Sequence, residues 1–213
     1  MAVERSAAPG VSGATPNLWN LPNGLTALRI LLVPVLGWLL LARGGDDVTL
    51  RIWAFAVFFV AIMTDRADGD IARRRNLVTD FGTIMDPIAD KALTGMAFIG
   101  LSLIGELWWW VTVLVIFREV LVTALRFWVI RHGVIAASQG GKVKTTLQAL
   151  ALGFLILPFR MLDGGWHVLG LVLWWAAVAV MAAAVVVTVG TGVDYVRRAL
   201  LLRRTGRAGS GAA

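Results

Sequence analysis

Six of the chain's thirteen acidic residues fall in the twenty-six positions from Asp65 to Asp90. Asp65 and Asp68 stand three apart and Asp86 and Asp90 four apart, so on helices each pair projects from one face. A short basic turn, Arg73 to Asn76, separates the pairs, which lets two antiparallel helix ends bring the four carboxylates together. Unpaired carboxylates repel strongly at low dielectric, so a cation is required between them. Hard divalent ions take oxygen ligands, and Mg²⁺ or Mn²⁺ fits better than zinc because no Cys or His accompanies the acids. Gly69 and Ala72 leave room at the helix end for a ligand to approach the backbone, and Gly82 does the same on the facing helix. Arg73 adds a guanidinium fork suited to phosphate oxygens. Acids, arginine and a glycine-lined cleft together read as a diphosphate site.

The elements that position these residues are apolar. The 213 residues are 58% hydrophobic and 15% charged, whereas soluble domains carry about 25% charged residues. This composition predicts an all-α integral membrane protein of one domain. With no cysteine, disulfides and thiolate metal sites are excluded. Six spans are expected: Asn20 to about Ala42, Leu50 to about Asp68, Asp80 to about Gly105, Trp108 to about Arg131, Lys142 to about Leu162, and Trp166 to about Thr191. Each offers roughly the 17–25 residues that cross a bilayer. Asp80 reads as a helix cap, Pro87 as a local kink, and Trp108 to Trp110 as an interface anchor. Residues 1–18 (Ala/Gly/Ser/Pro-rich, without an apolar signal segment) read as a disordered tail, 19–198 as the six-helix domain and 199–213 as a basic disordered tail.

The net charge of +7 flanks apolar spans, which favours membrane orientation over nucleic-acid binding. Arg5, Arg73 to Arg75, Arg131, Lys142, Lys144 and the C-terminal arginines lie on one side. On the other, Arg43 and Arg51 are set against Asp46 and Asp47, followed by Glu106 and by Arg160 against Asp163. The first side is therefore expected in the cytoplasm with both termini, and the six helices are expected around a polar cavity open to that side.

Two further groups stand out. Asn23 and Thr26 share one face at the start of the first helix, where an amide and a hydroxyl could read a cytosine edge. Arg118 and Glu119 fall near mid-span, where ionisable groups need partners or a water-filled cavity. With Lys142 and Lys144 at the start of the fifth helix, Arg118 forms a second cationic cluster, which suggests an acceptor alcohol that itself carries phosphate. His132 and His167, at span ends, read as interface residues. The charges at Arg66 and Asp70 have no explanation in the sequence.

The pattern D-x2-D-G-x2-A-R-x8-G-x3-D-x3-D is satisfied from Asp65 to Asp90 at all eight fixed positions. On it the chain resembles the CDP-alcohol phosphatidyltransferase family. The resemblance implies that Asp65, Asp68, Asp86 and Asp90 hold the metal. It makes Asp90 also the general base on the acceptor hydroxyl, which spacing alone does not single out. Asp68, Gly69, Arg73 and Gly82, with Asn23 and Thr26 in N-L-P-N-x-L-T-x-L-R, then bind the CDP group. The stretches Arg118 to Arg126 and Gly141 to Thr145 are similar to the bacterial phosphatidylglycerophosphate synthase branch. That branch implies CDP-diacylglycerol and glycerol 3-phosphate as substrates, with Arg118, Lys142 and Lys144 on the acceptor phosphate. It also implies a homodimer among membrane lipids of the plasma membrane. Cardiolipin or phosphatidylinositol phosphate synthesis are rivals within the family. A divalent-cation transporter is the rival of another class, but it expects acids near mid-membrane on broken helices.

Overall fold

The computed structural model of the chain describes residues 21–75, 80–129 and 139–210, with side chains described over 23–64, 85–125, 128 and 141–201. Six α-helices follow in order among these residues: α1 Leu21–Leu41, α2 Val48–Arg75, α3 Asp80–Leu103, α4 Trp109–Val129, α5 Gln139–Ile156 and α6 His167–Ser210. The expected N-terminal tail, the turn at 76–79 and the loop carrying His132 lie outside the described residues.

Three boundaries differ from expectation. α2 runs through the acidic motif to Arg75 and does not end near Asp68. A single internal glycine such as Gly69 costs about 1 kcal/mol, too little to stop a helix held by packing. α5 stops at Ile156, short of Leu162, because Pro158 cannot continue it and biases the residue before it away from helix. α6 passes Thr191 and continues to Ser210, with no proline in its path, so the stretch expected as a tail from 199 begins within this helix.

α1 and α3 run parallel, as Thr26 meets Asp86 at one end and Leu40 meets Gly100 at the other. α1 packs on α2 and α3, α6 on α4 and α5, and α5 also meets α2 and α3. The core is aliphatic and aromatic, with Leu36, Leu40, Phe58, Phe98, Leu101 and Leu152 all fully buried. α1 and α3 approach closely through two glycines. A Cβ on Gly37 would lie 2.8 Å from Met96 Sδ, and one on Gly100 would lie 2.9 Å from Leu40 Cδ1. Small residues at such contacts let helices associate where lipid removes the hydrophobic drive between them. The outer surface is also apolar, as lipid contact requires: Trp38, Val113, Phe117 and Val186 are each more than 60% exposed.

This is a membrane protein. Among the described residues three stretches are long and apolar enough to cross a bilayer, Asn23–Gly45, Gly141–Met161 and Gly164–Leu201, and Val48–Thr64 is a shorter apolar helix. α3 and α4 carry interior charges, Asp86, Asp90 and Lys91 on one and Arg118 and Glu119 on the other.

At the α1–α2 turn the backbone is left-handed at Arg43 (φ 55°) and Gly44 (φ 72°). Asp47 then caps α2: its Oδ1 accepts from Leu50 N–H at 3.0 Å, and Arg43 pairs with it at 2.7 Å. The Leu50 N–H first, and Arg43 after it, hold the Asp47 carboxyl below the ordinary carboxylate range. Arg51 turns into the bundle. It is 1% exposed and donates to Ile156 O and Leu155 O, both at 2.7 Å, and so caps the C-terminus of α5. Its other nitrogen meets Glu106 at 3.4 Å. Glu106 also accepts from Trp174 Nε1 at 2.8 Å and lies 3.7 Å from Arg160, which stacks over the Trp174 ring. Arg160 therefore serves this cluster.

Replacing Arg51 by Ala should strip the α5 cap and leave Glu106 buried with reduced compensation, a loss of about 3–5 kcal/mol. Arg43→Ala, at an exposed pair, should cost less than about 1 kcal/mol. Thermal unfolding of both variants in one detergent checks the contrast.

Candidate active site

α1 begins with Asn23, Thr26 and Arg29 at successive intervals of three, and all three side chains are buried. This face meets the start of α3, where Thr26 Oγ1 donates to Asp86 Oδ1. The N-terminal polar motif and the second acidic pair, sixty residues apart in sequence, are thus joined directly. The Gly37 and Gly100 contacts further along the same two helices set this register.

Asp86 and Asp90 are half-buried, one turn apart on α3. Asp65, Asp68, Gly69 and Arg73 lie on the last turns of α2 and Gly82 on the first turn of α3, with side chains outside the described set. Among the described residues no group of three metal-ligating side chains occurs. The two carboxylates that are described fit a hard divalent ion by their chemistry: oxygen donors one turn apart on one helix face.

Asp90 lines a cavity of about 870 Å³ between α3, α4 and α5, closed by Val33 of α1 and Ile62 of α2. Lys91, Glu119, Thr123, Lys144 and Gln148 supply most of its polar wall. One described member of each cluster read separately from the sequence, Asp90 of the carboxylates and Lys144 of the cations, therefore borders the same cavity.

The cationic cluster is organised by Glu119. Its Oε1 accepts from Lys144 Nζ, which is buried, and from Arg118 Nη1 at 3.1 Å. Arg118 is turned towards α6, donating to Thr191 Oγ1 at 2.9 Å and Thr188 O at 3.3 Å. Gly192 permits that approach, since a Cβ there would lie 3.3 Å from Arg118 Cγ. Gln148 donates to Thr188 Oγ1 at 3.0 Å and ties α5 to the same point of α6. Arg118 is not part of the cavity wall as described, and Lys142 is exposed on the first turn of α5.

Residues 19–192 match the CDP-alcohol phosphatidyltransferase family. The chain belongs to the CDP-alcohol phosphatidyltransferase family. It is 50% identical over 200 residues, 94% of this chain and 91% of the relative, to a probable phosphatidylglycerophosphate synthase of Mycobacterium tuberculosis (strain H37Rv). The CDP-diacylglycerol–glycerol-3-phosphate 3-phosphatidyltransferase of Bacillus subtilis is 37% identical over 159 residues, 68% of this chain and 82% of that protein. The Escherichia coli K12 protein of the same name is 41% identical over 149 residues, 65% of this chain and 77% of that protein.

For a phosphatidyltransferase, several polar residues of this site carry no motif signal. Lys91, Gln148 and Thr188 fall outside every motif of the sequence. The one available sign was a polar or charged side chain inside an apolar span. Glu119 was marked as needing a partner, but its role as the hub for two cations depends on helix packing.

Substituting Glu119 by Gln should leave Lys144 and Arg118 without their counter-charge and cost about 2 kcal/mol. Asp194→Asn, at the exposed Arg198 pair, should cost less than about 1 kcal/mol. Melting temperatures of the two variants compare them directly.

Proposed function

We propose that the chain transfers the phosphatidyl group of CDP-diacylglycerol to glycerol 3-phosphate, giving phosphatidylglycerol phosphate and CMP. The observation that carries this reading is the single cavity bordered both by Asp90, last carboxylate of the family motif, and by Lys144 of the basic cluster. The names of the relatives point to the same reaction. Glycerol 3-phosphate brings a free phosphate monoester, which a cationic wall recognises, whereas phosphatidylglycerol brings only a diester buried among lipids.

In this reading Asp65, Asp68, Asp86 and Asp90 would hold Mg²⁺ or Mn²⁺. When bound, the metal would supply charge neutralisation at the diphosphate, making CMP a better leaving group. Arg73 is assigned to the diphosphate oxygens, Gly69 and Gly82 to the close approach of the nucleotide, and Asn23 and Thr26 to the cytosine side. Thr26 fits a positioning role as well, because its hydroxyl orients Asp86. Asp90 takes the proton from the primary hydroxyl of glycerol 3-phosphate as that oxygen attacks the phosphorus bearing diacylglycerol. Lys144 and Lys142 hold the acceptor phosphate, with Arg118 behind them fixing Glu119.

The basic residues at the motif end support six crossings, with this end and both termini in the cytoplasm. The homodimer is carried over from the family resemblance.

Purified protein in detergent with CDP-diacylglycerol and Mg²⁺ should release CMP with glycerol 3-phosphate, and not with inositol phosphate or phosphatidylglycerol. Release only with another acceptor would overturn the substrate assignment. Asp90→Asn should lower turnover by about 10²–10⁴-fold. Full turnover in that variant would remove Asp90 as the base. Chelation should abolish release, with recovery on adding Mg²⁺ or Mn²⁺.

A further inference from the structure

Lys91 is the cation of the cavity wall that the reading above leaves unused. It lies eleven residues into α3, about 16 Å along the helix axis at 1.5 Å per residue. Its side chain is exposed, so the ammonium is open to a ligand entering the cavity. Its Nζ donates to Thr123 Oγ1 on α4, a neutral hydroxyl. Thr123 in turn donates to Glu119 O at 2.8 Å. Lys144 reaches α4 one turn away, at Glu119. Two ammonium groups, one from each helix flanking α4, therefore meet it four residues apart, a step of about 6 Å along the axis. Both line the same cavity as Asp90.

The charges decide what this arrangement can hold. Arg118 and Lys144 carry two positive charges and Glu119 one negative, so their network has a net charge of +1. A phosphate monoester carries about −1.5 to −2 at neutral pH. Lys142 is not part of the cavity wall, so Lys91 is the second ammonium that lines the cavity beside Lys144.

We propose that Lys91 is a specificity-determining residue that, with Lys144, binds the phosphate monoester of the acceptor alcohol. The assignment rests on the glycerol 3-phosphate reading. In the resting cavity Thr123 holds the ammonium; on binding, the ammonium turns to the phosphate oxygens as a compact point charge.

Steady-state CMP release by the full chain in detergent, varying each substrate separately, tests this. Lys91→Gln should raise KM for glycerol 3-phosphate by about 10–100-fold, as loss of a charged hydrogen-bond partner does, with kcat and the KM for CDP-diacylglycerol little changed. It should also narrow the preference for glycerol 3-phosphate over glycerol. Lys91→Arg should restore most of the affinity by keeping the charge. Thr123→Val should not reproduce the rise in KM. An unchanged KM for glycerol 3-phosphate in Lys91→Gln, with the unsubstituted protein active on that acceptor, overturns the proposal alone. So does a rise confined to CDP-diacylglycerol, which would place the charge on the liponucleotide diphosphate. If Thr123→Val matches Lys91→Gln in full, Lys91 is a structural tie between α3 and α4 and the proposal falls. Should the unsubstituted protein ignore glycerol 3-phosphate, the parent reading fails and this one with it.

Discussion

Charge cannot be left uncompensated inside an apolar bundle, and this constraint organises both ends of the molecule. At each end one glutamate is shared by two cations. Glu106, between α3 and α4, takes Arg51 from α2 and Arg160 from the turn after α5. Glu119, within α4, takes Lys144 from α5 and the neighbouring Arg118, which reaches on to α6. A buried ion pair adds little stability over apolar packing, but breaking one is costly, so such pairs favour one arrangement of helices over others. The far cluster closes the bundle by capping α5. The near cluster performs the same tying and leaves a lysine at the cavity wall.

The end that carries the family motif depends on a second feature, the close contact of α1 with α3. Gly37 accepts Met96 and Gly100 accepts Leu40, and that register carries the second turn of α1 to the second turn of α3. Thr26 then orients Asp86, one turn before Asp90. The packing of small residues deep in the bundle thus governs the aim of a carboxylate at its end. The outer helix faces need satisfy only lipid, and their exposed Val, Phe and Trp side chains do so without specific partners.

Much of this was legible in the residues themselves. Charges are rare in apolar spans and expensive there, so the four aspartates, Arg118, Glu119 and the Lys142–Lys144 pair stand out without any fold. Helix spacing also puts Asp86 with Asp90, and Asn23 with Thr26, on single faces, because that relation is local. Helix ends were less legible where no proline marks them. α2 and α6 both run on past the expected stops, since packing outweighs the small cost of an internal glycine.

The class of protein, the family motif and the residues able to carry charge through an apolar medium are therefore written in the residues themselves. The tertiary structure decided the partners. It chose Glu106 for Arg51, Glu119 for Lys144, Thr123 for Lys91 and Asp86 for Thr26, pairs separated by 25 to 60 positions. It also drew Arg118 towards α6 and put Asp90, Lys91 and Lys144 around one cavity. The reason is physical. Helical periodicity says which way a side chain faces on its own helix, but the neighbour it meets is set by which helices pack together and in what register. That is the outcome of glycine contacts, helix lengths and charge compensation acting across the whole bundle.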